Sequence, residues 1–344
     1  MRLPICLTTA LLATPVLADA PKIVTDIPAV HSLTAMVMGD LGNPTLLLDK
    51  GADPHHFQLR PSQARALSNA DLVIWMGPEM TPWLERALKG AETAQLALLD
   101  LPQTMTLEFG EGHEDHDEHG DEEHDEHDEH DHEEHADHDD HDDHDHEEHA
   151  GHDDHDEHEE HADHHDHDHE GLDPHAWLSP KNALIWIEEI EHNLSEADPE
   201  HAATYAANAA AAHEAVTTAK AQAEAALEVA HDVPLMVFHD AYGYFAAAFD
   251  LTIVESISAG DAAKPGAGHL AELREELEHD KVACIFPEAQ HDPAYVTTLT
   301  DGLDTKIGAI LDPSGSSLEP GADLYPTLLT TLASNIADCV STAK

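Results

Sequence analysis

The stretch Leu72-Val73-Ile74-Trp75-Met76 decides how the first part of this chain folds. This short apolar run, between stretches that predict helices at residues 61–69 and 82–89, predicts a strand. A further helix is predicted at 30–38, and further strands at 22–25, 45–48 and 94–99. Short apolar strands that alternate with helices indicate βα units and a parallel sheet.

The second half of the chain returns to the same pattern after a long helical part. Ser179 and Pro180 predict the start of a helix that ends near residue 195. The alanine-rich residues 199–230 have no glycine and predict a helix about 48 Å long, which could be a rigid connector between two domains. After Pro234, strands are predicted at 235–238, 253–254, 282–286 and 307–311, and a last helix at 325–340.

Composition excludes some classes of partner. The chain has 344 residues, enough for two domains, and carries 72 acidic residues against 14 basic ones. Binding to nucleic acid or anionic lipid requires clustered Lys and Arg, so neither is expected.

Residues 1–18 predict a secretory signal. Arg2 supplies the positive charge, an apolar run follows it, and small residues precede a cleavage site near Ala18. Cys6 lacks the small-residue lead of a lipid-attachment cysteine. The mature chain is therefore expected to be exported.

The segment 111–170 has a composition unlike the rest of the chain. It contains 21 of the 33 histidines, 33 acidic residues and no Lys or Arg. It cannot bury apolar surface to offset its ordering entropy, so we expect disorder. The function favoured for it is the collection of several weakly bound zinc ions. The alternative is an acidic spacer that binds metals unselectively.

Two cysteines, Cys284 and Cys339, remain after removal of the signal. An even number of cysteines in an oxidising compartment suggests one disulfide. Two buried free thiols are the alternative. A zinc site built on these cysteines is less expected because they lack the close spacing of such sites.

Four residues of metal-binding types lie next to predicted strand or helix ends. His55 follows the second strand, His175 precedes a helix, His239 ends the strand at 235–238, and Asp312 follows the strand at 307–311. Ligands bind beyond the carboxyl ends of strands in α/β sheets, so these residues could meet in one cleft. Three imidazoles and one carboxylate suit Zn²⁺, whereas Ca²⁺ and Mg²⁺ prefer all-oxygen sites.

Each of these residues also has a purely structural interpretation. A single histidine at a strand end is commonly a hydrogen-bonded surface group, and Asp312 before a proline could form a turn. His56 is interpreted as a neighbour of the site and His31 as a packing or capping residue. The others are interpreted as surface histidines: His192, His201, His213, His231, His269, His279 and His291.

Several motifs resemble those of a known family. Residues 51–62 (GADPHHFQLRPS) and 70–79 (ADLVIWMGPE) resemble the first ligand motif and its continuation in the metal-binding proteins of ABC transporters, in the ZnuA-like zinc group. Residues 175–180 (HAWLSP) resemble the second motif, 238–245 (FHDAYGYF) the third, and 311–313 (LDP) the closing aspartate motif. The resemblance covers nearly all of the mature chain, including the histidine-rich insertion.

The resemblance implies a fold and a division of the chain. It implies an α/β protein of two βα lobes with mainly parallel sheets, joined by a long rigid helix, with metal between the lobes. The expected parts are a signal at 1–18, an N-terminal lobe at 19–110 and 171–198, the loop at 111–170, a connecting helix at 199–231 and a C-terminal lobe at 232–344.

The resemblance also implies ligand roles for His55, His175 and His239. Manganese-preferring relatives carry a carboxylate at the position of His239, so this residue favours zinc. Some zinc members have a glutamate where this chain has Pro54, and in parts of the family a water or a carboxylate completes the shell, which leaves Asp312 open. The two cysteines match a disulfide of some zinc members.

The expected function is capture of zinc in the periplasm and delivery to a membrane permease of an ABC transporter. The chain is expected to be a monomer and not an enzyme, with a periplasmic zinc chaperone as a second candidate partner. One alternative is a zinc store or chaperone that acts through the loop. The other is a zinc-dependent hydrolase, although the chain has no His-Glu-x-x-His motif.

Overall fold

The computed structural model describes residues 20–109, 171–258 and 265–343. The predicted signal at 1–18 and the histidine-rich segment at 111–170 lie outside these ranges. Among the described residues, no helix has both the length and the apolar composition needed to cross a membrane.

The first lobe is built on a parallel sheet. Its strands are β1 (Ile23–Thr25), β2 (Thr45–Leu46), β3 (Leu72–Trp75) and β4 (Ala94–Ala97), and its helices are α1 (Pro28–Met38), α2 (Pro61–Ser68) and α3 (Pro82–Leu88). The strand order is β2-β1-β3-β4, and all pairs are parallel. β2 is shorter than the predicted 45–48, although the N–H groups of Leu47 and Leu48 still donate to the carbonyls of Thr25 and Asp26.

The second lobe repeats this arrangement. Its strands are β5 (Pro234–His239), β6 (Thr252–Ser258), β7 (Cys284–Ile285) and β8 (Lys306–Ile307), and its first three helices are α6 (Gly243–Phe249), α7 (Ala267–His279) and α8 (Ala294–Thr300). The order β6-β5-β7-β8 is again parallel. The prediction of two parallel α/β lobes is confirmed. β8 ends before the predicted limit at 311, and Leu311 instead forms an isolated parallel bridge with Glu288.

Three helices join the lobes: α4 (Pro180–Ala197), α5 (Ala202–Leu227) and α9 (Leu324–Ala343). α4 starts where predicted, because the Ser179 hydroxyl accepts a hydrogen bond from the N–H of Asn182 at 3.3 Å. α5 begins three residues later than the predicted 199, because a turn at Asp198 separates it from α4.

Only one face of α5 is buried in the molecule. It has 26 residues, which corresponds to about 39 Å, and packs against α1, α4 and α9. Its buried side chains recur at helical spacing: Tyr205, Ala212, Val216, Ala219, Ala223 and Leu227. The same apolar core includes strand residues of both sheets, so the helices connect the lobes through continuous packing.

The predicted pairing of the cysteines is confirmed. Cys284 in β7 and Cys339 in α9 form a disulfide across 55 residues of chain. It ties the centre of the second sheet to the helix that packs along α5.

Both sheets have a topological switch point, where the chain leaves a central strand in opposite directions. It lies between β1 and β3 in the first lobe and between β5 and β7 in the second. A crevice opens at such a point, beyond the carboxyl ends of the strands.

Candidate metal centre

Three of the four predicted ligands meet in one cavity. The ring centroids of His55 and His175 lie 5.3 Å apart, and those of His175 and His239 also lie 5.3 Å apart. These rings line a cavity of about 110 Å³ together with Met80 and Trp177. Organic ligands usually occupy pockets of about 300 Å³ or more, so this space suits an ion rather than an organic solute.

His175 is held by the carboxylate two residues before it. Asp173 Oδ1 accepts the backbone N–H of His175 at 2.9 Å and lies 2.7 Å from its Nδ1. When Asp173 is ionised its carboxylate accepts but does not donate, so the contact then places the proton on Nδ1 and the lone pair on Nε2. His175 Nε2 is buried and has no hydrogen-bond partner among the described residues. A nitrogen in this state is ready to bind a cation.

Tyr244 fixes the segment that carries Asp173 and His175. Its hydroxyl donates to the carbonyl of Asp173 at 2.8 Å and accepts the N–H of Leu107 at 2.8 Å. Tyr244 is fully buried in α6, so a helix of the second lobe positions His175.

His239 is the last residue of β5, at the switch point of the second sheet. Its Nδ1 lies 2.7 Å from Oε2 of Glu288, and both side chains are at least 95 % buried. Glu288 follows β7, and its segment is held by two backbone hydrogen bonds with Leu311: the N–H of Leu311 to Pro287 and the N–H of Ala289 to Leu311. The second lobe therefore fixes the ring of His239 through its neighbouring strand.

His55 lies on the loop after β2. Asp53 Oδ1 accepts the backbone N–H of His55 at 2.8 Å, and Asp53 Oδ2 lies 3.2 Å from Nδ1 of His56. The carbonyl of Pro54 accepts a hydrogen bond from Trp83 Nε1 at 2.8 Å, which anchors the loop on α3. Gly51 adopts φ +75°, a left-handed conformation that glycine reaches without strain, and its N–H donates to Ser316 of the second lobe.

The electrostatics keep two of the imidazoles neutral. Burial and the nearby rings of His175 and His239 lower the pKa of His55 to about 3. Burial and His239 also lower the pKa of His175 well below its usual value. Zinc binds neutral imidazole, so no proton has to leave these two rings near neutral pH.

Nearby carboxylates reverse the direction of the pKa shift at His239. Burial lowers its pKa, but the negative charges of Glu288, Asp240 and Asp173, together with the Glu288 hydrogen bond, raise it above the usual value. Burial raises the pKa of Asp173 to about 7. Two carboxylates that hold imidazoles by the second nitrogen are typical of metal centres, where they orient the ligand and increase its basicity.

The fourth predicted residue, Asp312, does not line the cavity, although Pro313 and Ser314 do. Its Oδ1 accepts hydrogen bonds from the hydroxyl of Ser314 and from the N–H and hydroxyl of Ser316. Its Oδ2 accepts hydrogen bonds from the N–H and the hydroxyl of Ser317. The carboxylate organises its own loop, as in the turn interpretation. That loop reaches the second motif through the hydrogen bond from Trp177 Nε1 to the carbonyl of Pro313 at 2.8 Å.

Two residues of this region were not recognised in the sequence. Glu288 had no predicted role, and His291 was interpreted as a surface histidine. His291 in fact lines the cavity, with its ring centroid 5.6 Å from that of His239. Both follow the predicted strand at 282–286, so the strand-end rule that selected His239 would also have selected them.

The remaining histidines differ in burial. His31 is buried in α1, with Nε2 3.1 Å from the carbonyl of Pro44, as expected of a packing residue. His56 is exposed beside Asp53. His201 is not a solvated surface group, because its side chain is 85 % buried and its Nδ1 lies 2.7 Å from Asp198.

A family model and a similar protein both carry the same description, ZnuA. The family model described as ZnuA, zinc-uptake complex component A, periplasmic, matches residues 23–339. A protein of Paracoccus denitrificans named high-affinity zinc uptake system protein ZnuA is 48% identical over 330 residues, which are 95% of this chain and 94% of that protein.

Solved structures agree on the fold. The metal-binding protein FpvC of Pseudomonas aeruginosa, solved with Mn²⁺, has a TM-score of 0.70 at 17% identity and covers 95% of this chain and 100% of its own. The periplasmic zinc-binding protein TroA of Treponema pallidum has a TM-score of 0.67 at 16% identity, over 93% and 99% of the two chains. Matched along nearly its whole described length by the family model, the chain belongs to the ZnuA family of periplasmic zinc-uptake components.

Proposed function

We propose that this protein captures zinc in the periplasm through His55, His175 and His239. The observation that carries the proposal is the meeting of these three rings in one small cavity, where Asp173 and Glu288 each hold one ring by its second nitrogen. Three imidazoles leave one position of a zinc tetrahedron for water.

The donor set favours zinc over the alkaline-earth ions. Ca²⁺ and Mg²⁺ take oxygen ligands, whereas imidazole nitrogen suits zinc and its neighbours in the first transition row. Cu²⁺ binds such sites more strongly in general, so preference for zinc depends on geometry and supply. The relative from Paracoccus denitrificans is named for zinc uptake, which supports the same ion here.

Delivery to a membrane permease of an ABC transporter completes the proposed function. Membership of a family of periplasmic uptake components supports it. The shared core along α5 resists wide hinging, so we propose that release requires movement of the loops around the cavity rather than separation of the lobes. A catalytic role is not proposed, because Glu288 is engaged by His239 and Asp173 by His175. A hydrolase would require a general base that faces the bound water.

The test is zinc affinity of the full chain, measured by competition with a strong chelator so that only the tightest site is seen. His55→Ala, His175→Ala and His239→Ala should each weaken binding at least about a hundredfold, or roughly 3 kcal/mol. His192→Ala is the matched control, since its side chain is 65% exposed on α4. Unchanged affinity in all three variants would refute the proposed site.

The composition of segment 111–170 favours a second candidate function, a zinc store that acts through that segment. Removal of residues 113–169 distinguishes the two. Tight binding of one ion should survive the deletion if the cavity is the main site, and should disappear if the segment is.

A further inference from the structure

His291 has the geometry of a metal ligand but no place among the three cavity histidines. It lies three residues after Glu288, at the switch point of the second sheet. One ligating atom each from His239, Glu288 and His291 can be chosen so that all three lie within 4.8 Å of one another. His291 Nε2 is 3.8 Å from Glu288 Oε1, whereas Glu288 Oε2 holds His239.

The ring of His291 is held in a defined orientation. It stacks on Phe238 with centroids 4.2 Å apart and an interplanar angle of 15°. The residue before it, Gln290, donates hydrogen bonds to the hydroxyls of Ser314 and Ser316. The stack on Phe238 and the hydrogen bonds of the neighbouring Gln290 side chain hold this segment, and neither contact uses the ring nitrogens of His291.

His291 is more exposed to solvent than His175 and His239, and like His55 it is half-buried. Its side chain is 18% exposed, whereas those of His175 and His239 are 4% and 5% exposed. An ion that reaches the buried nitrogen of His175 must first pass a more exposed part of the cavity wall.

The chemistry of the cluster suits a divalent cation. Zinc lies about 2.0–2.2 Å from nitrogen and oxygen ligands, so two ligands of one ion are at most about 4.4 Å apart. The gap of 3.8 Å between His291 Nε2 and Glu288 Oε1 is already within that limit. A carboxylate and one imidazole with water as the remaining ligands form a weaker site than three imidazoles, as a transfer position requires.

We propose that His291 and Glu288 form an outer cation-binding position at the edge of the cavity, from which zinc passes to His239 and the inner site. This inference rests on the proposed function, since it gives zinc a route into and out of that site. Glu288 connects the two positions, with one oxygen directed at each histidine. A shared ligand allows zinc to exchange one donor at a time without returning to bulk water.

The experiment compares zinc release from full-length wild type and His291→Phe. Phenylalanine keeps a ring on Phe238 but removes both nitrogens. Each protein is loaded with one molar equivalent of zinc and mixed rapidly with an excess of a chromophoric chelator. The release rate of His291→Phe should fall about tenfold, the change produced by about 1.4 kcal/mol in barrier height. The association rate should fall in parallel, so the dissociation constant changes much less than either rate.

His279→Phe is the matched control. His279 lies in the same lobe, its side chain is 88% exposed, and its contact is with the adjacent Asp280. Equal release rates in wild type and His291→Phe would overturn the proposal. A faster release with a matching loss of affinity would also overturn it, because His291 would then be a ligand of the final site. His291→Gln, a polar replacement, repeats the test if the phenylalanine variant does not fold.

His175→Ala separates failure of this inference from failure of the proposed function. If that variant loses tight binding while His291→Phe releases zinc at the wild-type rate, only the outer position is refuted. If His175→Ala binds as tightly as wild type, the proposed function itself fails.

Discussion

The two lobes have the same strand order, and each central strand leads into a buried polar side chain that has a different use. In the first lobe, Asp26 follows β1. Its carboxylate accepts the N–H groups of Ile27 and Met76 and the hydroxyl of Thr81. In the second lobe, His239 ends β5, and one of its nitrogens is engaged by Glu288.

The comparison shows that topology selects the place and residue chemistry selects the use. A carboxylate at the crevice gathers backbone N–H groups and holds the ends of β1 and β3 together. An imidazole has two nitrogens, so one can be braced while the other faces the cavity. In the first lobe, the histidine that lines the cavity is His55, which lies on the loop after β2 and not at the end of the central strand.

The largest expected effect is on zinc affinity, and it should differ between His239 and Asp26. His239→Gln should weaken zinc binding at least about a hundredfold, by loss of one imidazole from the shell. Asp26→Asn should change it less than about threefold. Isothermal titration in the presence of a competing chelator measures both, and equal losses in the two variants would contradict the difference in use.

Asp26 should instead make stability depend on pH. Burial raises its pKa to about 6, although four hydrogen bonds lower it in part. The folded state thus keeps the proton at a pH where the unfolded chain has lost it, and stability falls as pH rises from about 4 to 6. Relative to Asp26→Asn, wild type should lose about 3 kcal/mol of unfolding free energy between pH 4 and 7. Urea unfolding of the zinc-free proteins across this range measures it, and parallel curves would contradict a raised pKa.

Glu288 tests whether bracing of His239 matters for the ion. Glu288→Gln keeps the size and one hydrogen-bonding oxygen but removes the charge, so zinc affinity should fall about 10- to 100-fold. Asp53→Asn is the matched comparison in the first lobe, because Asp53 holds the backbone of His55, and a smaller loss is expected. A larger loss of zinc affinity in Asp53→Asn than in Glu288→Gln would contradict the expectation that the contact with His239 matters more than the contact with His55.

Asp312 should show the smallest effect on zinc. If its carboxylate organises the loop that contains Ser314, Ser316 and Ser317, Asp312→Asn should change zinc affinity less than about threefold. It should also lower the midpoint of thermal unfolding through the lost serine contacts. A hundredfold loss of affinity would instead establish the sequence-based prediction of Asp312 as the fourth ligand.

Local sequence was sufficient for most of the secondary structure. Apolar runs predicted all of the strands near their observed positions, because a buried parallel strand needs little more than a short hydrophobic run between helices. Ends were less accurate: β8 stops at Ile307 instead of residue 311, and α5 starts at Ala202 instead of residue 199. The end of β8 depends on pairing with another segment, seen in the bridge between Glu288 and Leu311, and the start of α5 depends on the turn at Asp198.

The site residues also divide into those that local sequence indicated and those that it did not. His55, His175 and His239 were selected because each lies beside a predicted strand or helix end, and their convergence follows from parallel sheets. Glu288 follows a predicted strand and could have been selected by that position, but its contact with His239 joins residues 49 positions apart and is not visible in the local sequence. A similar separation in sequence from His239 concealed the position of His291 beside the cavity.

The sequence by itself determined the alternation of strands and helices, the three histidines and the acidic, histidine-rich composition of residues 111–170, because these are properties of consecutive residues. Only the tertiary structure decided which nitrogens of His175 and His239 contact a carboxylate, that Asp312 supports a loop, and that Glu288 lies between His239 and His291. The physical reason is that burial and hydrogen-bond partners depend on segments far apart in the chain, and these two factors set the orientation and charge of the groups around the cavity.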